Sequence, residues 1–271
     1  MNRPFNSLAT PEDQPMNALV NEPRLDLGDG PRLNAQLTNM GLCLRTLLDC
    51  QEAGGDTPRM GLFYGFSGYG KTVAAAFAAA RTNAIYIHAQ SIWTQRSMLE
   101  ALAEEMGLPI VKKTAAALLK QIIEQLNNDP QSIIIDEMDH LVHKKLTEII
   151  RDIHDATRVG ILMIGEEALP SKLKEWERFD NRILVATAAQ PASITDALKL
   201  RDHYCTRIKV EDDLVELFTT RCKGITRRIV VNLKAAQRSA AEEGLTSIDR
   251  TWWGARPIVN GDIAVRRRET V

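Results

Sequence analysis

The chain has 271 residues, 44% hydrophobic and 25% charged, which suits a soluble globular protein made of one large domain or of a core with a smaller companion. Its 34 Lys+Arg against 35 Asp+Glu leave a net charge of −1, which excludes an overall basic field for nucleic acid, so any such binding must rest on local patches. Cys43, Cys50, Cys205 and Cys222 form no C-x-x-C pair, which speaks against a disulfide framework or a zinc ribbon and for reduced core thiols.

Residues 1–32 carry Pro4, Pro11, Pro15, Pro23 and Pro31 among acids and amides and read as an N-terminal arm, not an apolar signal segment. No run approaches the ~18 apolar residues of a membrane span. From Leu33 to Ala53, apolar residues at Leu37, Met40, Leu44, Leu47 and Leu48 predict a helix that stops at Gly54-Gly55.

Met60 to Val73 then reads as strand, loop and helix. Gly65, Gly70, Lys71 and Thr72 fill every fixed position of G-x-x-x-x-G-K-[ST], with Gly68 added inside the loop. Polyphosphate must lie against backbone N–H groups at a helix N-terminus, so side chains must be absent where it approaches. The expected nucleotide contacts are Gly65, Phe66, Ser67, Gly68, Tyr69, Gly70, Lys71, Thr72 and Val73. Lys71 would face the β- and γ-phosphates, and the Thr72 hydroxyl would ligate Mg²⁺.

Strand and helix patterns alternate from there. Strands are predicted at Ala84–His88, Ser132–Glu137, Gly160–Ile164 and Arg182–Ala186. Helices are predicted at Thr94–Met106, Thr114–Leu126, Leu141–Ile153 and Glu166–Glu177. Short connections and continuous apolar strands predict an α/β fold, a parallel sheet sandwiched by helices. Beyond Pro191 the strand patterns stop, and helices at Ser193–Tyr204, Glu211–Cys222 and Thr226–Glu243 predict an all-helical lid. The expected division is therefore an arm over 1–32, a nucleotide-binding core over 33–190, a lid over 191–245 and a tail over 246–271. The tail holds Trp252-Trp253, Pro257 and Arg266-Arg267-Arg268. The tryptophans could stack on bases, but packing on the core is the expectation.

The strand Ile133-Ile134-Ile135 delivers Asp136 and Glu137 at its C-terminal end, where open α/β sheets bind ligands. Asp136 would hold Mg²⁺, and Glu137 would orient and deprotonate the attacking water. His140 and His143 have spacing for a shared metal but no third placed ligand, and are expected to be surface histidines.

The phosphate loop, the acid pair and the helical C-terminal part together resemble the AAA+ ATPases over roughly residues 33–245. The run Asp136-Glu-Met-Asp-His-Leu141 looks most like the transposition-regulator branch of Mu B, TnsC, TniB and IstB proteins. The resemblance implies an Mg²⁺-dependent ATPase that assembles on double-stranded DNA as a homo-oligomeric ring or filament and recruits a transposase. It also implies a cytoplasmic place, in a bacterium or a phage-infected host, and no membrane. It assigns Arg182 as an arginine finger acting on a neighbouring subunit, with Arg178 as rival. Arg227 of Gly224-Ile-Thr-Arg227 becomes the lid's sensor arginine, with Arg228 as understudy. The end of the fourth strand departs from the family, which places a polar sensor where this chain has Ile164-Gly165-Glu166. Lys112-Lys113 and Lys144-Lys145 are the candidates for DNA contact, against the plainer reading of solvated surface. An ATP-dependent loader or adaptor acting on another protein, of the helicase-loader or secretion kind, is the alternative. A monomeric small-molecule kinase is disfavoured because it has no use for a finger in trans.

Overall fold

The computed structural model of the protein describes residues 37–54 and 56–261, apart from the side chain of Arg178. The arm over 1–32 and Arg266-Arg267-Arg268 lie outside the described residues.

Five apolar segments form one parallel sheet: β1 (Met60–Tyr64), β2 (Ile85–His88), β3 (Ile133–Asp136), β4 (Ile161–Gly165) and β5 (Ile183–Ala188). They are ordered β2-β3-β4-β1-β5. Their registers are parallel throughout, for example Met60 beside Ile161 and His88 beside Asp136. The inner strands β3, β4 and β1 are covered on both faces, which is why they read as unbroken hydrophobic runs. Leu62, Ile133, Ile135, Ile161 and Met163 face one layer, of α3 (Gln95–Glu105), α4 (Ala115–Asn128) and α6 (Thr147–Thr157). Their alternates Phe63, Ile134, Leu162 and Ile164 face α1 (Thr38–Glu52) and α2 (Lys71–Thr82). Side chains alternate along a strand, so each element serves two cores. Of the five buried alanines of α2, Ala74, Ala75, Ala78 and Ala79 bring the helix close against the sheet.

The expected helix over Glu166–Glu177 is two short pieces, α7 (Leu169–Lys174) and α8 (Glu177–Asp180), preceded in the chain by α5 (Asp139–His143). Pro170 sits in the first turn of α7, where its missing N–H costs nothing, so the helix starts there and not at Glu166.

After Pro191 come α9 (Ile194–Tyr204), α10 (Asp212–Arg221) and α11 (Thr226–Glu242), which share a core around Leu214, Phe218, Ile229 and Leu233. Strands do not stop altogether. Lys209–Val210 (β6) pairs in parallel with Ser247–Ile248 (β7), and a last turn, α12 (Arg250–Trp253), follows. Ile248, Trp253 and Ile258 belong to the same core, so the stretch read as a tail packs here as far as Ile258. Trp253 lies edge-on to Phe218 at 5.0 Å: it is buried, on the lid helices and not on the sheet.

All four cysteines are buried free thiols, and burial pushes Cys205 up to about 11. Among the described residues no helix is long and apolar enough to cross a membrane.

One side chain joins α1 to the chain's two turning points. The Asn39 amide donates to Tyr69 O at 2.9 Å and Gln190 O at 2.8 Å, and its carbonyl accepts from Gln190 N–H at 2.8 Å. Asn39 is only 7% exposed, so its loss strands buried partners that water cannot reach. Asn39→Ala should lower unfolding free energy by about 2–3 kcal/mol, read as a shifted midpoint in urea at constant slope. A shift below about 0.5 kcal/mol would show that these bonds are replaced by others.

Candidate functional site

Where β1 ends, the chain turns through Gly65 and into α2 by backbone that L-residues avoid. Gly68 has φ +86° and Gly70 φ +81°, the left-handed region glycine enters freely. A Cβ at Gly68 would also stand 2.8 Å from Ile225 Cγ2. Here the lid rests on the loop, with Arg227 N–H donating to Gly68 O at 3.0 Å. The first turn of α2 contains no acidic residue, so its N-terminal partial positive charge is open to an anion.

Lys71, the first residue of α2, folds back over the loop and donates to Gly65 O at 2.7 Å and Phe66 O at 3.0 Å. Burial pushes its ammonium down, while Glu137, Asp136, Glu166 and Glu167 pull it the other way. Thr72 and Val73 are exposed beside it, and Phe66 stands edge-on to Tyr69 at 5.8 Å.

Asp136 ends β3 and is 2% exposed. Its Oδ2 accepts from the Tyr86 hydroxyl at 3.1 Å and lies 3.5 Å from His88 Nδ1, and its Oδ1 accepts Glu137 N–H at 2.9 Å. Burial first, and then Asp136, push the Tyr86 phenol up, so it remains a donor to that carboxylate at any ordinary pH. Glu137 takes φ +54°, a left-handed conformation that costs a long side chain about 1–2 kcal/mol. The turn leaves Asp136 buried at the strand end while Glu137 lines the cleft.

Ser67, Gly68, Tyr69, Gly70, Lys71, Thr72, Val73, Glu137 and Arg227 line one cavity of about 380 Å³ between sheet, α1 and lid. Leu37, Met40, Leu200, Tyr204, Val230 and Lys234 line it as well, with Asn39 and Asp196. Mg²⁺ needs no all-protein cage when phosphate oxygens share its coordination. Thr72 and Asp136 provide the hydroxyl and the carboxylate for such a site. Among the described residues no group of three or more His, Cys, Asp or Glu gathers to hold a metal.

The remaining expected residues lie outside this cavity. Arg182 precedes β5, and its carbonyl accepts Met60 N–H, at the opposite end of β1 from the phosphate loop. Five strand residues separate the two, about 16 Å. Its Nε and Nη2 donate to the two oxygens of Asp155 at 2.7 and 2.6 Å. That guanidinium holds the Asp155 carboxyl down at about 2. Asp155 Oδ1 is also 3.0 Å from Nδ1 of the buried His154. Arg178 falls in α8, and its side chain lies outside what is described.

The two lysine pairs meet around the start of α3. Lys144 Nζ donates to Trp93 O at 3.2 Å, and the Arg96 guanidinium donates to the carbonyls of Lys112, at 3.3 Å, and Lys113. All four lysines are exposed, beside the exposed Ile92 and Val111.

Asn39, Tyr86 and Asp196 went unread in the sequence. Asp196 is 4% exposed and caps α9 in a box with Ser193, while accepting Thr38 N–H at 2.9 Å. Burial pushes its carboxyl up, but the bonds from Thr38 and Ser193 outweigh that and pull it below the usual range. The S-x-x-D pattern was a readable cap signal; the link to Thr38, 158 residues away, was not.

Residues 54–173 match the family model of the AAA domain. The chain is 26% identical over 142 residues to the Mu-like prophage FluMu DNA transposition protein B of Haemophilus influenzae, covering 49% of each. It is 26% identical over 203 residues to the ATP-dependent target DNA activator B of Escherichia phage Mu, covering 69% of this chain and 62% of that one. The chain thus spans about half to three fifths of the length of these curated relatives. In fold it resembles the Aeropyrum pernix ORC1 protein, solved in complex with DNA. The TM-score is 0.57 at 19% identity, over 80% of this chain and 64% of that one. The chain is thus similar to the AAA domain over residues 54–173 and to the Mu B transposition proteins over a longer stretch, and it shares the fold of the ORC1 protein.

Proposed function

We propose that the protein hydrolyses ATP and uses the nucleotide to assemble on double-stranded DNA, where it engages a transposase. The observation that carries this reading is the joint lining of one cavity by the phosphate loop, Glu137 and the lid's Arg227. These are the parts phosphoryl transfer needs: a cradle, a base and a cation at the developing charge. The Mu B relatives, one of them named an ATP-dependent target DNA activator, support the DNA part.

In this reading the triphosphate lies along the loop, and Lys71 exchanges the Gly65 and Phe66 carbonyls for phosphate oxygens. Mg²⁺, held by Thr72 and Asp136, supplies charge neutralisation when bound. Glu137 accepts the proton of the attacking water. Arg227 approaches from the lid, and Arg182 acts on the nucleotide of a neighbouring copy in a ring or filament. Lys112, Lys113, Lys144 and Lys145 meet DNA phosphates; they form a local basic patch on a chain of net charge −1.

Three outcomes are expected. Lys71→Ala should abolish binding of a fluorescent ATP analogue, and Glu137→Gln should bind it normally while turning over at least ~10²-fold more slowly. Turnover near the wild-type rate in Glu137→Gln removes Glu137 as the base.

ATP, and not ADP, should bring the protein onto a random duplex, with affinity falling steeply from 50 to 200 mM salt because contact is to phosphates. Replacing the four lysines by Ala should flatten that salt dependence. Anisotropy showing no ATP-dependent binding at low salt would favour a loader acting on another protein.

Arg182→Ala should keep ATP affinity but lose most turnover, by a factor on the order of 10³. Mixing it with Lys71→Ala should restore part of the activity, because one variant keeps an intact pocket and the other an intact finger. A mixture as inactive as its components, with both still assembling, would leave Arg182 as a structural partner of Asp155 and turn attention to Arg178.

A further inference from the structure

The N-terminal ends of β4, β1 and β5 meet at the edge of the sheet opposite the phosphate loop. There Ile161 N–H donates to Arg59 O at 2.9 Å and Met60 N–H donates to Arg182 O at 3.2 Å. A buried imidazole is anchored to this edge: the His154 side chain is 0% exposed, and its Nε2 accepts Arg59 N–H at 3.4 Å. The proton of the neutral ring is therefore on Nδ1, which donates to Asp155 Oδ1 at 3.0 Å. Burial pushes the ring down, the Asp155 carboxylate pulls it back only in part, and Arg158 and Arg182 act with the burial, so the neutral form prevails. Asp155 Oδ1 is also the oxygen that accepts Arg182 Nε at 2.7 Å, while Oδ2 accepts Nη2 at 2.6 Å. One carboxylate oxygen thus joins an enclosed ring to a guanidinium near the surface.

The terminal torsion of an aspartate is broad, so a carboxylate left to itself turns, and a guanidinium paired with it turns too. Bidentate pairing fixes the guanidinium plane only where the carboxylate plane is itself fixed. The imidazole supplies that third point, because its ring is enclosed and its main chain is held in α6, with Arg158 N–H donating to His154 O at 2.7 Å. We propose that His154 is a positioning residue for Arg182. By holding Asp155 Oδ1 it sets the direction in which the guanidinium is offered to a neighbouring copy, and it keeps the carboxylate in place to receive the guanidinium back. His154 touches neither nucleotide nor attacking water and acts only through Asp155. The inference rests on the reading of Arg182 as a finger in trans.

A role in trans allows positioning to be separated from damage to the fold. The parent assay is turnover at saturating ATP in a mixture of Lys71→Ala, which lends its finger, and Arg182→Ala, which lends its pocket. His154→Ala added to the finger-lending chain should lower the activity of the mixture about 10-fold, the scale of one hydrogen bond to a charged group. The same substitution added to the pocket-lending chain, where residue 182 is already alanine, should leave the activity within twofold. His154→Asn places an amide N–H where Nδ1–H stood and should recover most of the loss. His154→Gln places its amide at the Nε2 position instead and should not, so the Asn and Gln pair carries the test if the Ala variant does not fold. Equal losses in the two placements, no loss in the finger-lending one, or equal activity of the Asn and Gln variants overturns the proposal. A parent mixture without activity, from chains that still assemble, overturns the trans reading of Arg182 and the proposal with it.

Discussion

The bonds around the end of β4 are the constraint on which the rest of the site depends. With the order β2-β3-β4-β1-β5, the phosphate loop and the acid pair grow from strands that are not neighbours, and β4 is the spacer between them. The Gly65 and Met138 amides hold that spacer from both sides, so the loop and the acids share one frame. Every device nearby serves it. Gly165 leaves room for the Asp139 carboxylate, whose Oδ2 accepts Glu166 N–H at 2.7 Å, and this clamp ties α5 to the start of the segment leading to α7. Glu137 turns left-handed so that one acid stays at the strand end and the next enters the cleft. A Cβ at 165 would act on all of these together, since the clash is with the clamp itself.

A second frame joins the cleft to the lid. Gly224 has φ +68°, and a Cβ there would lie 2.6 Å from Pro191 Cβ, so α11 begins directly against the hinge. From there Ile225 and Arg227 reach Gly68, while Asp196 holds the first turn of α1 and Asn39 holds Tyr69 and Gln190. Hinge, lid, first helix and phosphate loop are thus coupled through buried or close-packed contacts, which change as units because dense packing resists small displacements. A ligand filling the 380 Å³ between them therefore acts on all four.

Much of this was legible because it is local. Glycines at 65, 68 and 70 are demanded by backbone conformation and anion approach within a few residues, and a full motif of that kind survives any tertiary arrangement. The strand ending in Asp136-Glu137 and the alternation of elements were readable for the same reason, since the inner strands are buried on both faces and read as apolar runs. Long-range partners were not legible. No spacing announces that Asp196 meets Thr38, that Tyr86 supports Asp136, or that Asp139 clamps Glu166. The helix expected from Glu166 failed because its propensity was overridden by that clamp and by Pro170. The two-residue strands β6 and β7 were too short to leave a periodicity, and Trp253 joined the lid because Phe218 offered it an apolar face.

Arg182 raises the question of whether a residue held in one place can act in another. Its pair with Asp155 is bidentate but partly exposed, 30% and 38% for the two side chains. Exposed ion pairs contribute at most about 1 kcal/mol once water competes. Asp155 keeps a hydrogen-bonding neighbour in His154 when the guanidinium leaves, so release does not strand a buried charge. A finger in trans lowers a phosphoryl-transfer barrier by about 4–7 kcal/mol, the equivalent of 10³- to 10⁵-fold. The gain exceeds the loss several-fold, so the ion pair does not argue against the proposed role. It gives the guanidinium a defined resting position instead. Since Arg182 lies at the far end of β1 from its own loop, that resting position is also one from which it cannot serve its own nucleotide.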